Sequence, residues 1–158
     1  MEDIDSQIAA CAAEEQELQL ASFSNSDGLA LGNAIVERAI AQGKRVTVNV
    51  ERHGVILFHH AMEGMSPDND EWVARKKRVV NRFSKSSLHM TLLLKKSGRT
   101  IQERYQLDPA LYAASGGAFP LIIRGTGVVG AVAASGLTQE EDHELVVSVL
   151  RSYLSRKK

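Results

Sequence analysis

Residues 116 to 136, GGAFPLIIRGTGVVGAVAASG, hold six of the chain's twelve glycines and one of its three prolines. The run is otherwise apolar, with Arg124 and Thr126 as its large polar interruptions. Glycine weakens a helix or strand unless the backbone must turn sharply or be approached closely. The stretch therefore reads as two short strands, 119–124 and 128–134, turning at Gly125-Thr126-Gly127, with glycines left over for close contact. Gly125-Thr126-Gly127-Val128-Val129-Gly130 matches the spacing G-x-G-x-x-G, but it opens a strand with no helix directly after it. A dinucleotide-binding turn needs strand, glycine turn and helix in that order, so this fingerprint is set aside.

The rest of the chain supplies elements that fit around such a hairpin. Val46, Val48 and Val50 alternate with polar residues, and His53-Gly54 turns the chain into 55–60, which reads as an antiparallel hairpin. Residues 18–23 alternate and make a fifth strand. Helices are expected over 4–20, from the Ser24–Asp27 capping run to about 42, over 69–83 after Ser66-Pro67-Asp68, and from Thr138 onward. In the last of these, Thr138-Gln139-Glu140-Glu141 has capping-box spacing, and Leu145, Val146, Val149, Leu150, Tyr153 and Leu154 share one face. Residues 86–97 suit either a helix or a strand, and the leucine spacing favours a helix. A helical turn follows Leu107-Asp108-Pro109. Two hairpins with helices between them imply an α/β (α+β) fold with a five-stranded antiparallel sheet flanked by helices. At 158 residues the chain has the size of a single domain, 1–158.

Charge excludes some function classes. Nineteen basic residues balance nineteen acidic ones, so no global field favours nucleic acid or an anionic membrane. No uninterrupted apolar run approaches the roughly 20 residues that span a bilayer. The one cysteine, Cys11, allows no intrachain disulfide, and the acidic start lacks a signal-peptide pattern. A cytoplasmic protein without nucleic-acid or membrane partners is the expectation.

The residues with chemical potential are few. Gly116-Gly117 frees backbone amides beside the stiff Phe119-Pro120 corner, and bare amides in a turn can hold an anion. Arg75, Arg78, Arg82 and Lys85 share one face of the third helix and could grip carboxylates. His143 lies in the first turns of the final helix, where the dipole disfavours its protonation. A neutral imidazole there could ligate haem iron or another metal, serve as a general base, or simply bond to nearby backbone. His59 and His60 face opposite sides of a strand and cannot share a metal. No zinc spacing, nucleophile elbow or serine-histidine-aspartate order is present.

Four pieces in order carry a resemblance: Asp68-Asn69-x-x-Trp72-x-x-Arg75-Lys76, Arg82-Phe83-x-x-Ser86-Ser87, Gly116-Gly117-Ala118-Phe119-Pro120, and Ala134-Ser135-Gly136-Leu137 with Asp142-His143. From about Phe23 to Leu150 the chain resembles small bacterial and fungal proteins allied to the haem-degrading-domain (GlcG/HbpS-like) superfamily. The resemblance implies a profilin-like layout with a five-stranded antiparallel sheet and assembly into homodimers or larger rings. It also implies ligands such as haem, since relatives in the wider superfamily are linked to haem binding or degradation. Gly116, Gly117, Pro120, Gly130, Ser135 and Gly136 match the wider motif, whereas Phe119 and the Arg75-Lys76 pair belong to the closer family.

Three readings stay open. The first is a protein binding haem or another small anionic ligand through Arg75, Lys76, Gly116, Gly117, Phe119, Pro120 and His143. The second is an oligomeric interaction module with Gly130, Ser135 and Gly136 at the subunit interface. The third is an enzyme acting on a small anionic substrate with His143 as its base.

Overall fold

The computed structural model describes residues 2–157. Its elements are α1 (Ile4–Glu17), β1 (Gln19–Leu20), α2 (Asn25–Ala41), β2 (Thr47–Arg52), β3 (Val55–Ala61), α3 (Pro67–Phe83), α4 (Ser87–Ser97), α5 (Ile101–Tyr105), β4 (Ala118–Ile123), β5 (Gly127–Ser135) and α6 (Gln139–Arg156). Of residues 86–97, Ser87–Ser97 are helical, as the leucine spacing favours, with Ser86 as their cap. The short helix α5 was not expected from its composition, although Thr100 and Glu103 form a reciprocal capping box at its start. Reciprocal caps also open α2 at Ser24 and Asp27, and α6 at Thr138 and Glu141.

The strands form one sheet in the order β1-β4-β5-β2-β3. The sheet is mixed, which corrects the expectation of a purely antiparallel one. The β2–β3, β2–β5 and β4–β5 pairs are antiparallel, but β1 runs parallel to β4, with Gln19 opposite Ile122 and Leu20 opposite Ile123. A tight hairpin forces its two strands to be antiparallel. β1 and β4 share no hairpin: two strands and four helices separate them, so the turn chemistry that sets the other pairs is silent about this one.

Alternation along the strands divides the core. Val48, Val50, Phe119, Leu121, Val132 and Ala134 face α2 and α6, meeting Leu31, Ile35, Leu145, Val149 and Leu150. The opposite face presents Ala118, Ala131 and Ala133 to Val73 and Val80 of α3. Small side chains on that face let α3 lie close to the sheet. Two adjacent lysines of α3 are buried as a result, Lys76 at 3% and Lys77 at 7% exposure. Lys77 donates to Asn49 at 2.8 Å and to Glu51 at 3.1 Å. Beyond α3, a separate cluster of Val79, Met90, Leu94, Ile101 and Leu107 ties α4 and α5 to its far side.

The surplus glycines resolve individually. Gly125 and Gly127 have φ of 81° and 112°, and an added Cβ would meet nothing within 4 Å at either position, so they serve the turn itself. Gly130 sits opposite Arg52 on one side and Leu121 on the other, beside a bulge at Val129. A Cβ there would come within 2.0 Å of the Glu51 carbonyl oxygen. The close approach is thus internal to the sheet, between β5 and β2.

Candidate functional site

The residues singled out in the sequence do not form one site. Some gather at a polar cleft, His143 lies at a separate cavity beyond α6, and Arg75, Phe119, Pro120 and Gly130 line neither.

The cleft has a volume of about 280 Å³ and is lined by residues that include Trp72 and Lys76 of α3, Ser135 and Gly136 at the end of β5, and Gln139 and Asp142 of α6. Its floor is an ion pair. Lys76 Nζ donates to Asp142 Oδ2 at 3.1 Å and to the Ala134 carbonyl at 3.1 Å, with the two side chains 3% and 2% exposed. The other Asp142 oxygen accepts the Leu137 N–H at 3.2 Å. Burial pushes the Asp142 carboxyl above its ordinary range and the Lys76 ammonium below its own, each opposed by the other's charge.

The glycine corner supports this floor from beneath. Gly117 has φ of 135°, and a Cβ on it would come within 2.8 Å of Lys76 Nζ and 2.5 Å of the Ala134 carbonyl. The Gly116 N–H donates to Gln139 Oε1 at 3.0 Å, so this amide is engaged inside the chain and is not a bare anion donor. Phe119 is fully buried in the core and Pro120 is also buried, so neither lines the cleft. Arg75 stacks over the Trp72 ring at 4.2 Å and lines a neighbouring groove. Ser135 is 4% exposed, and Gly136, with φ of 144°, packs against the Arg45 carbonyl. Gly130, Ser135 and Gly136 therefore each have a role within one chain.

His143 follows Asp142 but turns away from the cleft. Its Nε2 lies 2.9 Å from a carboxylate oxygen of Glu14, so the positive end of α6 is met by an acid and not by backbone. Its Nδ1 is buried without a hydrogen-bond partner. The next residue of α1 repeats the arrangement, since Glu15 takes His89 Nδ1 at 3.0 Å and the Ser86 N–H at 2.7 Å. Cys11, one turn back, is 3% exposed, and burial together with Glu14 and Glu15 pushes its thiol up to about 12. Cys11, Glu14 and His143 border a cavity of about 320 Å³ whose wall also includes Glu2, Glu140, Glu144 and Lys95. The roles of Glu14 and Glu15 escaped the sequence reading, because nothing in local spacing joins residue 14 to residue 143.

Among the described residues no helix is long and apolar enough to cross a membrane. The family model described as "Haem degrading protein HbpS-like" matches residues 23–151. A UPF0303 protein of Streptomyces avermitilis is 46% identical over 144 residues, covering 91% of this chain and 88% of that one. Among solved structures, the Ybr137w protein superposes with a TM-score of 0.88 at 30% identity, covering 95% of this chain and 88% of that chain. A complex of PduOC with haem gives 0.66 at 19% identity, covering 85% and 94%, which is a likeness of fold.

Proposed function

The chain belongs to the HbpS-like haem-degrading protein family, and from that premise we propose that it is a binding protein for a compact anionic ligand, held in the cleft between α3 and α6. One observation carries the reading. The Lys76 ammonium has three hydrogens, and two of them are placed, on Asp142 and on Ala134. The third is available to a ligand in the cleft that this side chain lines. A buried ion pair is poor value as a stabiliser compared with an apolar pair of the same volume, which points to a binding role for this one. The first turns of α3 and α6 both border the cleft, and the positive ends of these helices favour negative charge, opposed there by the exposed Asp68 carboxylate.

Haem is the ligand raised by the description of the family and by the PduOC complex. The surroundings of His143 do not fit it. That cavity is about 320 Å³, near the lower limit for small-ligand pockets. Its wall carries four carboxylates, Glu2, Glu14, Glu140 and Glu144, against Lys95, so haem propionates would meet like charge.

Trp72 is the only tryptophan and lines the cleft, so its fluorescence reports occupancy directly. Titration with citrate or phosphate is expected to give a saturable change. Gln139→Ala, which leaves the ion pair in place, is expected to weaken it by about fivefold, the worth of one hydrogen bond. No response to either anion would defeat the reading. A haemin Soret shift that vanishes in His143→Ala would replace it with haem ligation.

The same reading includes self-association, through the edge strand β3 and not the glycine segment. Val55 and Ile56 are each 58% exposed there, and an open strand edge is a template for pairing with a second copy. Replacing both by lysine is expected to shift the molecule to monomer in light scattering. An unchanged mass would count against that interface.

A further inference from the structure

We propose that Cys11, Glu14 and His143 form a binding site for a borderline-soft divalent cation of the zinc class, independent of the ligand cleft. The ligand atoms of the three residues all lie within 4.8 Å of one another. A zinc ion with bonds of about 2.0–2.3 Å holds its tetrahedral ligands about 3.3–3.8 Å apart, so side-chain adjustments of about 1 Å would close the set. One thiolate, one imidazole and one carboxylate are the ligand types that zinc shares across its sites, whereas calcium and magnesium would want oxygen alone.

Three further features suit a cation. Cys11 and His143 are buried and come from α1 and α6, elements that already face each other through the Glu14 contact, so the scaffold exists before any metal arrives. The cavity wall adds Glu2, Glu140 and Glu144, a concentration of negative charge opposed by Lys95. The His143 Nδ1 is a buried polar atom without a partner, so the present hydrogen bonds leave this imidazole unsatisfied. Binding replaces the thiol proton, which leaves to solvent. With one thiolate and one carboxylate, the two negative ligands then neutralise the divalent ion. Three protein ligands leave a fourth position for water or a small donor on the side of the cavity, the pattern of an open zinc site.

Cobalt(II) tests this on the full-length protein, after dialysis against a chelator. One equivalent per chain is expected to produce an intense near-ultraviolet thiolate-to-cobalt band, and zinc is expected to abolish the band by displacement. Zinc is also expected to raise the melting temperature by mass action. Cys11→Ala should remove the band and weaken zinc binding more than 100-fold, since loss of an outer partner alone costs about 10–100-fold. Glu14→Gln should weaken binding while keeping the band. Far-ultraviolet circular dichroism checks that each variant is folded. The proposal is overturned if cobalt gives no thiolate band with the wild-type chain, or if folded Cys11→Ala and His143→Ala both take up zinc as the wild type does.

Discussion

Gly130→Ala is expected to destabilise the fold by about 3 kcal/mol or more, at the upper end of what overpacking costs. The added methyl would sit 2.0 Å from the Glu51 carbonyl oxygen and 2.8 Å from the Arg52 Cα, and both are backbone atoms that no rotamer change can move. Relief requires β2 and β5 to part at the centre of the sheet. Urea unfolding should show a lower midpoint with an unchanged slope. Gly125→Asn is the control, because its turn is open to solvent and asparagine tolerates the left-handed region. If Gly130→Ala unfolds within about 0.5 kcal/mol of wild type but changes its assembly, the residue belongs to a subunit interface after all.

Lys76→Met should be comparably severe, costing about 3–5 kcal/mol, because it strands the Asp142 carboxylate in the interior. The informative variant is the double one, Lys76→Met with Asp142→Leu. It removes both charges together, and recovery of most of the lost stability is expected, with a coupling of at least about 2 kcal/mol. A double variant as unstable as the single one would show that the damage came from lost packing.

The pH dependence follows from the two shifts. Burial raises the Asp142 carboxyl above its ordinary value of 3.8 in the folded chain. Its contribution is therefore complete below 3.8 and is lost as pH rises through the folded value. Lys76 titrates below 10.5, so the folded chain sheds that proton more readily, and stability is regained as pH climbs from the lowered value towards 10.5. Between those windows the ionised pair is held at a net cost. The difference between wild type and the double variant should trace this shape.

Much of the fold was legible because its signals are local. The capping residues at Ser24 and Thr138, the His53-Gly54 turn and the alternation of β2 each depend on neighbours a few positions away. The direction of β1 was not legible, since it is set by a strand about a hundred residues further on. The candidate site was half legible. Lys76, Gly116, Gly117, Ser135 and Gly136 do come together around one cleft, and Asp142 of the same motif completes it. Arg75, Phe119 and His143 share those sequence pieces but project elsewhere, because successive helical residues diverge by about 100° and successive strand residues face opposite sides. The Glu14 and Glu15 contacts depend on where α1 docks, which no periodicity in a thin apolar stripe specifies.

The strand order has a consequence for how the molecule comes into being. β5, the middle strand of the sheet, is the last of the five to be translated. While the ribosome is still reading the first 126 residues, β2 and β3 can pair as a hairpin, but β2 has no neighbour on its inner side and β4 has none to join it to that hairpin. A nascent chain of this kind exposes the valine-rich edge of β2 until late in synthesis, when non-local pairing is slowest and association with other chains is most hazardous. Placing the glycine-poor, self-sufficient hairpin first and the glycine-rich keystone last makes the completion of the sheet a single late event.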